Sequence, residues 1–272
     1  MLSDITLGQY FPIKSPIHSL DPRIKILSVL LYVITVFFAV DIWGYLFVAL
    51  FTITIVLMSK VPFKLFLKSL KPLIFIVIFT AFINIFMSSG KVVVINNYPL
   101  KWGVFKVTYE GLIMAVKMAV RLIFLVIGTS ILTFTTSPII LTDGIEKLLS
   151  PFKKIGVPAH ELAMMMTIAI RFIPTLLEET DKIIKAQKAR GADFESGNLI
   201  KRVKALVPIL VPLFISSFRR ADELAIAMEC RCYHGGEGRT RMKELKFKSG
   251  DFIASFVMIL FPVVLALINI FV

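Results

Sequence analysis

Charged side chains are scarce in this 272-residue chain, and acidic ones are scarcer than basic ones. Asp, Glu, Lys and Arg make up 18 % of the residues, with 31 basic against 18 acidic side chains and a formal charge of +13. Hydrophobic residues reach 57 %, above the roughly 45–50 % of soluble domains, and the mean hydropathy is +0.84. This composition predicts an integral membrane protein and argues against a basic nucleic-acid-binding domain.

Cysteine is also rare, because only Cys230 and Cys232 occur, one residue apart. Neighbours this close rarely form a disulfide. With His234 they could form a metal site, but three ligands crowded into one turn, with no fourth elsewhere, make a poor zinc pattern. We therefore expect two small thiols in a reducing compartment and no metal.

Sequence motifs of catalysis are missing as well. The chain has no H-E-x-x-H, no C-x-x-C, no nucleophile elbow and no G-x-x-x-x-G-K-[ST] phosphate loop. The stretch GGEGRT at 235–240 lacks the Lys-Ser/Thr end of such a loop. We expect no ATP hydrolysis by this chain. A membrane enzyme would need converging polar groups, and Asn84 and Arg121 are the obvious ones in the apolar segments.

Long apolar runs predict an all-α integral membrane protein with about five transmembrane helices. Four of them form an N-terminal membrane domain at 1–136, and the fifth is a final helix at 251–272. The four spans of the membrane domain are predicted at residues 24–40, 42–58, 72–88 and 111–136. Residues 88–110 are rich in β-branched side chains and predict a short hairpin or ordered loop.

Basic residues predict the orientation of these spans. Lysines recur every three or four residues between 59 and 72, which indicates a short amphipathic helix on the cytoplasmic face. Residues 137–251 hold 19 of the 31 basic and 14 of the 18 acidic side chains. We predict a cytoplasmic or interfacial helical domain at 137–250, a cytoplasmic N-terminus and an external C-terminus.

Lys117 and Arg121 lie four residues apart within the fourth predicted span. Charge inside a membrane helix indicates a functional site by default, and a role in a permease or channel is one interpretation. The other is that both side chains snorkel towards the surface, with Arg121 facing other helices.

The helical domain is predicted to contain two long helices, and each ends in an arginine between two small residues. The two tripeptides are Ala189-Arg190-Gly191 and Cys230-Arg231-Cys232. Small neighbours leave a guanidinium uncovered, and its fork of donors suits a carboxylate or a row of carbonyls. Alternatively, each arginine caps its own helix. Two matching positions favour a partner with two similar sites.

QKARGAD at 187–193, together with FRRADELAIAMECRCY at 218–233, resembles the transmembrane T component of energy-coupling factor (ECF) transporters, the EcfT/CbiQ family. The similarity covers nearly the whole chain and includes DPRIK at 21–25. It implies that 137–250 is a coupling domain whose long helices end in short coupling helices. By resemblance, Arg190 docks one ABC-type ATPase subunit and Arg231 the other. ATP would be bound by those partners, and this chain would hold no cofactor.

The resemblance also implies a substrate-binding S component as partner, and uptake of vitamins or other micronutrients across a prokaryotic cytoplasmic membrane. The expected S-component contacts lie in the apolar first half of the first long helix. They are Met164, Met165, Met166, Ile170, Phe172 and Ile173. Methionine suits a surface that accepts alternative partners, although these side chains could equally fill a core or face lipid.

The chain departs from the family pattern at Cys230 and Cys232, where Ala and Gly are common. Small size and the arginine are kept, but the loss of glycine leaves the local backbone turn open. Glu223 and Glu229 could orient Arg220 or Arg231 through neighbours on the same helix, or could only solubilise it.

Overall fold

Helices make up most of the structure, a computed structural model that describes residues 10–87, 94–95, 98–99, 101–102, 105–106, 108–192, 194, 198–236 and 245–271. Helices α1 to α5 are Pro22–Phe37, Ile42–Ser59, Phe63–Leu70, Ile74–Met87 and Tyr109–Thr135. Helices α6 to α9 are Pro138–Leu149, Ala159–Ala189, Leu199–Glu229 and Ser249–Phe271. The prediction of an all-α protein is confirmed.

Short elements join some of these helices. Two 3₁₀ turns, Lys71–Leu73 and Ser150–Ile155, follow α3 and α6. Two antiparallel pairs lie between α4 and α5. They are β1 (Val94–Ile95) with β2 (Tyr98–Pro99), and β3 (Lys101–Trp102) with β4 (Phe105–Lys106). Two short antiparallel strand pairs therefore lie within 88–110, where the sequence predicts a hairpin or an ordered loop.

Five stretches of the described residues are long and apolar enough to cross a membrane. They are Ile42–Ser59, Phe63–Ile85, Tyr109–Thr135, Ala159–Ala189 and Ser249–Phe271. The expected number is confirmed, but the set differs. Helix α1 has 16 residues and ends at Phe37, short of the roughly 20 that a straight crossing needs. Helix α7 qualifies because its first half carries only Glu161 and Arg171.

The chain divides into two compact units. Among the described residues, the membrane unit contains those from 10 to 137 and from 245 to 271, and the second unit contains those from 138 to 236. The second unit is here called the coupling unit, after the domain that the resemblance implies. The chain thus passes from the membrane unit to the coupling unit after Ser137 and returns at Leu245.

An aromatic cluster forms the centre of the membrane unit. Its buried members come from α1, α2 and α9 and the α1–α2 connection: Tyr32, Val36, Ala39, Tyr45, Val48, Phe261 and Leu265. The Phe51 and Phe261 rings stack with centroids 4.1 Å apart. Gly128 of α5 lies against Tyr32, and a Cβ at Gly128 would overlap the tyrosine ring. Glycine therefore allows α5 to approach α1 closely.

Three polar side chains of the same unit bond to the carbonyls of the C-cap of α1, Phe38, and of the two residues after it. The bonds are Lys117 Nζ to the Val40 carbonyl at 2.7 Å, Arg121 Nη2 to the Ala39 carbonyl at 3.0 Å, and Asn269 Nδ2 to the Phe38 carbonyl at 2.7 Å. These carbonyls lie at the negative end of the α1 dipole, where cations are favoured. The expectation that Arg121 faces other helices is confirmed, and capping explains both charges.

We predict that Arg121→Met destabilises the membrane unit. The substitution keeps an unbranched apolar stem but leaves the Ala39 carbonyl without its charged donor, a loss of about 1.5–3 kcal/mol. Thermal unfolding of the purified chain in detergent micelles should show a lower midpoint.

Leu112→Met, at an exposed position of the same helix, is the matched control and should leave the unfolding midpoint nearly unchanged, because it conserves side-chain volume. An unfolding midpoint of Arg121→Met equal to that of the wild type would contradict the capping role.

Candidate docking site at two helix ends

Helices α7 and α8, each 31 residues long, pack against each other in opposite directions. Three contacts give the direction: Phe172 with Arg220, Glu179 with Ser216, and Gln187 with Pro208. Residue numbers rise along α7 as they fall along α8. The C-terminal ends of the two helices therefore lie at opposite ends of the pair.

The carboxylate of Glu179 holds the centre of this crossing. Its Oε1 accepts a hydrogen bond from Ser216 Oγ at 2.7 Å, and its Oε2 accepts one from Arg220 Nη2 at 3.1 Å. The partner of Arg220 is thus on the other helix, and the suggestion that Glu223 orients it is not supported. Sequence reasoning missed Glu179, because nothing in the local spacing relates it to Arg220.

Both helices end in the same backbone turn. At the end of α7, the N–H of Gly191 donates to the Lys188 carbonyl and that of Ala192 to the Gln187 carbonyl, both at 3.0 Å. At the end of α8, the Cys232 N–H donates to Glu229 at 2.8 Å and the Tyr233 N–H to Met228 at 3.0 Å. These are the two bonds of a Schellman motif, repeated at matching positions.

Cys232 adopts the left-handed conformation that Gly191 adopts at the other end. Their φ angles are 55° and 86°. A side chain in this conformation costs roughly 1–2 kcal/mol, so glycine is the usual residue. The turn therefore forms without glycine, which answers the question left open by the sequence.

All six residues of the two tripeptides are exposed, including Arg190 and Arg231. In the part of the chain that the structure describes, neither guanidinium has a hydrogen-bond or ion-pair partner. Backbone N–H groups instead donate to carbonyls of both last turns, those of Gln187, Lys188, Met228 and Glu229. The backbone, and not the arginine side chain, therefore caps each helix, and both arginines are available to a partner.

Arg190 lies 11 residues beyond Glu179, and Arg231 lies 11 residues beyond Arg220 and 15 beyond Ser216. At a rise of 1.5 Å per residue, this places each arginine roughly 16–23 Å from the centre, in opposite directions. The two ends are thus related by an approximate two-fold rotation about the crossing, which the Glu179 contacts define.

The cysteines beside Arg231 are both free and exposed. Among the described residues, which include His234, there is no group of three or more His, Cys, Asp or Glu side chains placed to hold a metal ion.

The residues predicted to contact an S component divide into two groups. Met165, Met166 and Ile173 are exposed, whereas Met164, Ile170 and Phe172 are half-buried. The Phe172 ring lies 5.8 Å from the Arg220 guanidinium carbon, so it belongs to the helix crossing. The cluster is therefore partly surface and partly interface between α7 and α8.

An apolar stripe runs along α8, outside the six residues predicted to contact an S component. Its exposed members are Val203, Val207, Leu210, Phe214 and Phe218. They recur every three or four residues and share one face of the helix. That periodicity is visible in the sequence and is sufficient to predict the stripe.

A membrane unit joined to a helical unit with two matched, arginine-bearing helix ends defines a transmembrane subunit of the coupling type. The comparison with known proteins agrees, since residues 13–242 match the CbiQ family model, described as a cobalt transport protein. Several curated relatives share the name energy-coupling factor transporter transmembrane protein EcfT. The chain belongs to this EcfT/CbiQ family and is a multi-pass membrane protein.

The similarity to these relatives extends over almost the full length. The chain is 64 % identical over 256 residues to the Clostridium kluyveri protein, covering 94 % of this chain and 93 % of the relative. It is 56 % identical over 261 residues to that of Ruminiclostridium cellulolyticum, covering 96 % of each. It is 48 % identical over 251 residues to that of Bacillus subtilis, covering 92 % and 93 %.

We predict that Cys232→Gly stabilises the end of α8 and that Cys232→Val destabilises it. Glycine relieves the left-handed strain, for a net gain of about 1 kcal/mol or less once its greater freedom in the unfolded chain is included. A β-branched side chain is the least compatible with this conformation. Hydrogen exchange of residues 226–233, followed by mass spectrometry, measures the effect locally.

Cys230→Ala is the control, because Cys230 has ordinary right-handed backbone angles and its exposed side chain lacks this strain. Equal exchange rates for the glycine and valine variants would contradict the assigned turn.

Proposed function

We propose that this chain is the coupling subunit of an ECF-type ABC importer, in which it joins two ATPase subunits to a substrate-binding S component. One observation carries the proposal: two helix ends with the same backbone turn and an exposed arginine lie at opposite ends of an antiparallel helix pair. Two such ends suit a partner that presents two similar sites, as a pair of ATPase subunits does.

Arg190 docks one ATPase subunit, and Arg231 docks the other. A guanidinium offers five donors in a fixed plane, which suits a carboxylate or backbone carbonyls at the bottom of a groove. Its neighbours Ala189, Gly191, Cys230 and Cys232 are small, so the groove can close around the helix end. ATP is bound and hydrolysed by these partners, and this chain contributes no cofactor.

The S component packs on the exposed apolar surface of α7 and α8. Two exposed apolar groups provide that surface: Met165, Met166 and Ile173 on α7, and the stripe along α8. Exposed apolar area of this extent indicates a partner or lipid. Flexible methionines allow alternative S components to fit, and the S component selects the vitamin or other micronutrient.

In the proposed mechanism, closure of the two ATPases on ATP moves the two helix ends relative to each other, and α7 and α8 carry the motion to the S component. The coupling unit and the N-terminus lie on the cytoplasmic side of a prokaryotic cytoplasmic membrane. The excess of lysine and arginine in 59–72 and 137–250 supports this orientation. The orientation requires the 16-residue α1 to cross the membrane, and it requires α7, which is apolar enough to cross, to lie outside the bilayer core.

The alternative of a substrate-lining permease or channel that works without ATPases is not favoured. Its support was the pair of charges in α5, and Lys117 and Arg121 instead bond to carbonyls at the end of α1. The names of the relatives also place those proteins among energy-coupled transporters.

We predict that Arg190→Ala and Arg231→Ala each weaken association with co-expressed ABC ATPase subunits about tenfold or more, since losing a charged hydrogen-bonding group costs roughly 1.5–3 kcal/mol. The double variant should not retain either ATPase. The measurement is co-purification of the complex in detergent, with the amount of each ATPase quantified.

Arg171→Ala and Arg219→Ala are matched controls, because both arginines are exposed on the same helices but far from their ends. They should bind like the wild type. Full retention of both ATPases by the double variant would reject the docking role.

A further inference from the structure

The segment Asp21–Lys25 at the start of α1, here called the anchor segment, contains three charged side chains in a largely buried setting. Asp21 is 6 % exposed and Lys25 is 7 % exposed. Asp21 Oδ1 accepts the backbone N–H of Arg23 at 2.9 Å, and the two carboxylate oxygens accept Arg23 Nε and Nη2 at 3.0 and 2.9 Å. The aspartate thus caps the helix and holds the arginine at once.

The anchor segment binds the chain where it returns to the membrane unit. Arg23 Nη2 donates to the Leu245 carbonyl at 3.4 Å, and its guanidinium lies 4.1 Å from the centroid of the Phe247 ring. Asp251, only 1 % exposed, accepts the backbone N–H of Asp21 at 2.8 Å. The start of α1 is thus bonded to the residues after the return point in two ways, through the Arg23 side chain and through the backbone N–H of Asp21.

The same segment binds the chain where it leaves the membrane unit. Lys25 Nζ donates to the Thr135 carbonyl at 3.0 Å, to Thr136 Oγ1 at 3.3 Å and to the His18 carbonyl at 3.2 Å. An ammonium has three donors, and all three are used. A buried cation with this set of partners is costly to displace, because moving it leaves an unpaired charge.

Both passages to the coupling unit are therefore bonded to one segment, at Thr136 next to the exit after Ser137 and at Leu245 itself. We propose that the charged side chains of the anchor segment are positioning residues that make α1 follow any displacement of these two passages as one rigid body. The inference rests on the proposed function, in which the coupling unit is moved by ATPases.

The polar character of the anchor segment supports this role over simple stabilisation. Well-packed apolar residues stabilise a core at least as well as a buried ionic network does, whereas hydrogen bonds allow one geometry only. Burial raises the pKa of Asp21, but the hydrogen bonds and charge of Arg23 and the charge of Lys25 outweigh it and hold that pKa below its usual value. The carboxylate is therefore ionised at neutral pH and keeps both hydrogen bonds from the Arg23 guanidinium.

The test follows hydrogen exchange by mass spectrometry in the complex of this chain with its ATPase pair and S component, with and without a non-hydrolysable ATP analogue. In the wild type, the analogue should change exchange in α7, α8 and α1. Lys25→Met removes the ammonium but keeps the apolar stem. It should keep the change in α7 and α8 and lose the change in α1.

Two control variants separate positioning from stability. Lys25→Arg keeps a cation with several donors and should restore the response of α1. Tyr32→Phe removes a buried hydroxyl of α1 that lies outside the anchor segment and bonds to Thr52 and the Phe124 carbonyl. In this variant, hydrogen exchange of α1 should respond to the analogue as in the wild type. If Lys25→Met does not assemble, Thr136→Val removes one acceptor only and should reduce the α1 response.

The inference is overturned if α7 and α8 respond to the analogue while α1 does not respond in the wild type, or responds equally in Lys25→Met. Absence of any response in α7 and α8 of the wild type would reject the ATPase role itself and, with it, the inference. The two failures are therefore distinguishable.

Discussion

The position of the two proposed docking ends depends on one carboxylate, that of Glu179, at the crossing of α7 and α8. Ser216 and Arg220 lie one turn apart on α8, so a carboxylate that accepts from both fixes the register of the helices as well as their contact. Because the helices are antiparallel, this register also sets where Arg190 and Arg231 lie. A shift of α8 by one turn would move one end towards the crossing and the other away from it, and the match to a two-site partner would be lost.

The two ends have the same geometry with different residues. Gly191 adopts the left-handed conformation without strain, whereas Cys232 adopts it against the preference of its side chain. The bonding pattern around both residues is the same, so the requirement at each end is a turn that closes the helix and leaves the arginine free. Each helix end is therefore defined by small flanking side chains and an uncovered guanidinium, and not by the identity of the residues beside the arginine.

Local pattern predicted much of the fold, and contacts distant in sequence account for what it missed. Helices α2, α4, α5 and α9 follow from apolar runs, and the end of α7 follows from Gly191. The early end of α1 could not be predicted, because its caps come from Lys117 and Arg121, some 80 residues away. For the same reason the partner of Arg220 was sought on its own helix. The predicted docking residues lie at exposed helix ends. The left-handed turn at Cys232 could not be predicted, because this conformation is uncommon for any residue other than glycine.

The central claim is that each helix end engages a different ATPase subunit within one complex. The most direct measurement places a photoreactive amino acid at Ala189 and at Cys230 of the same chain and analyses the cross-linked products of the assembled complex by mass. Each position alone should yield a product with one ATPase, and the doubly labelled chain should yield a product with two. If both positions of the doubly labelled chain cross-link to the same single ATPase subunit, the two ends do not engage different subunits.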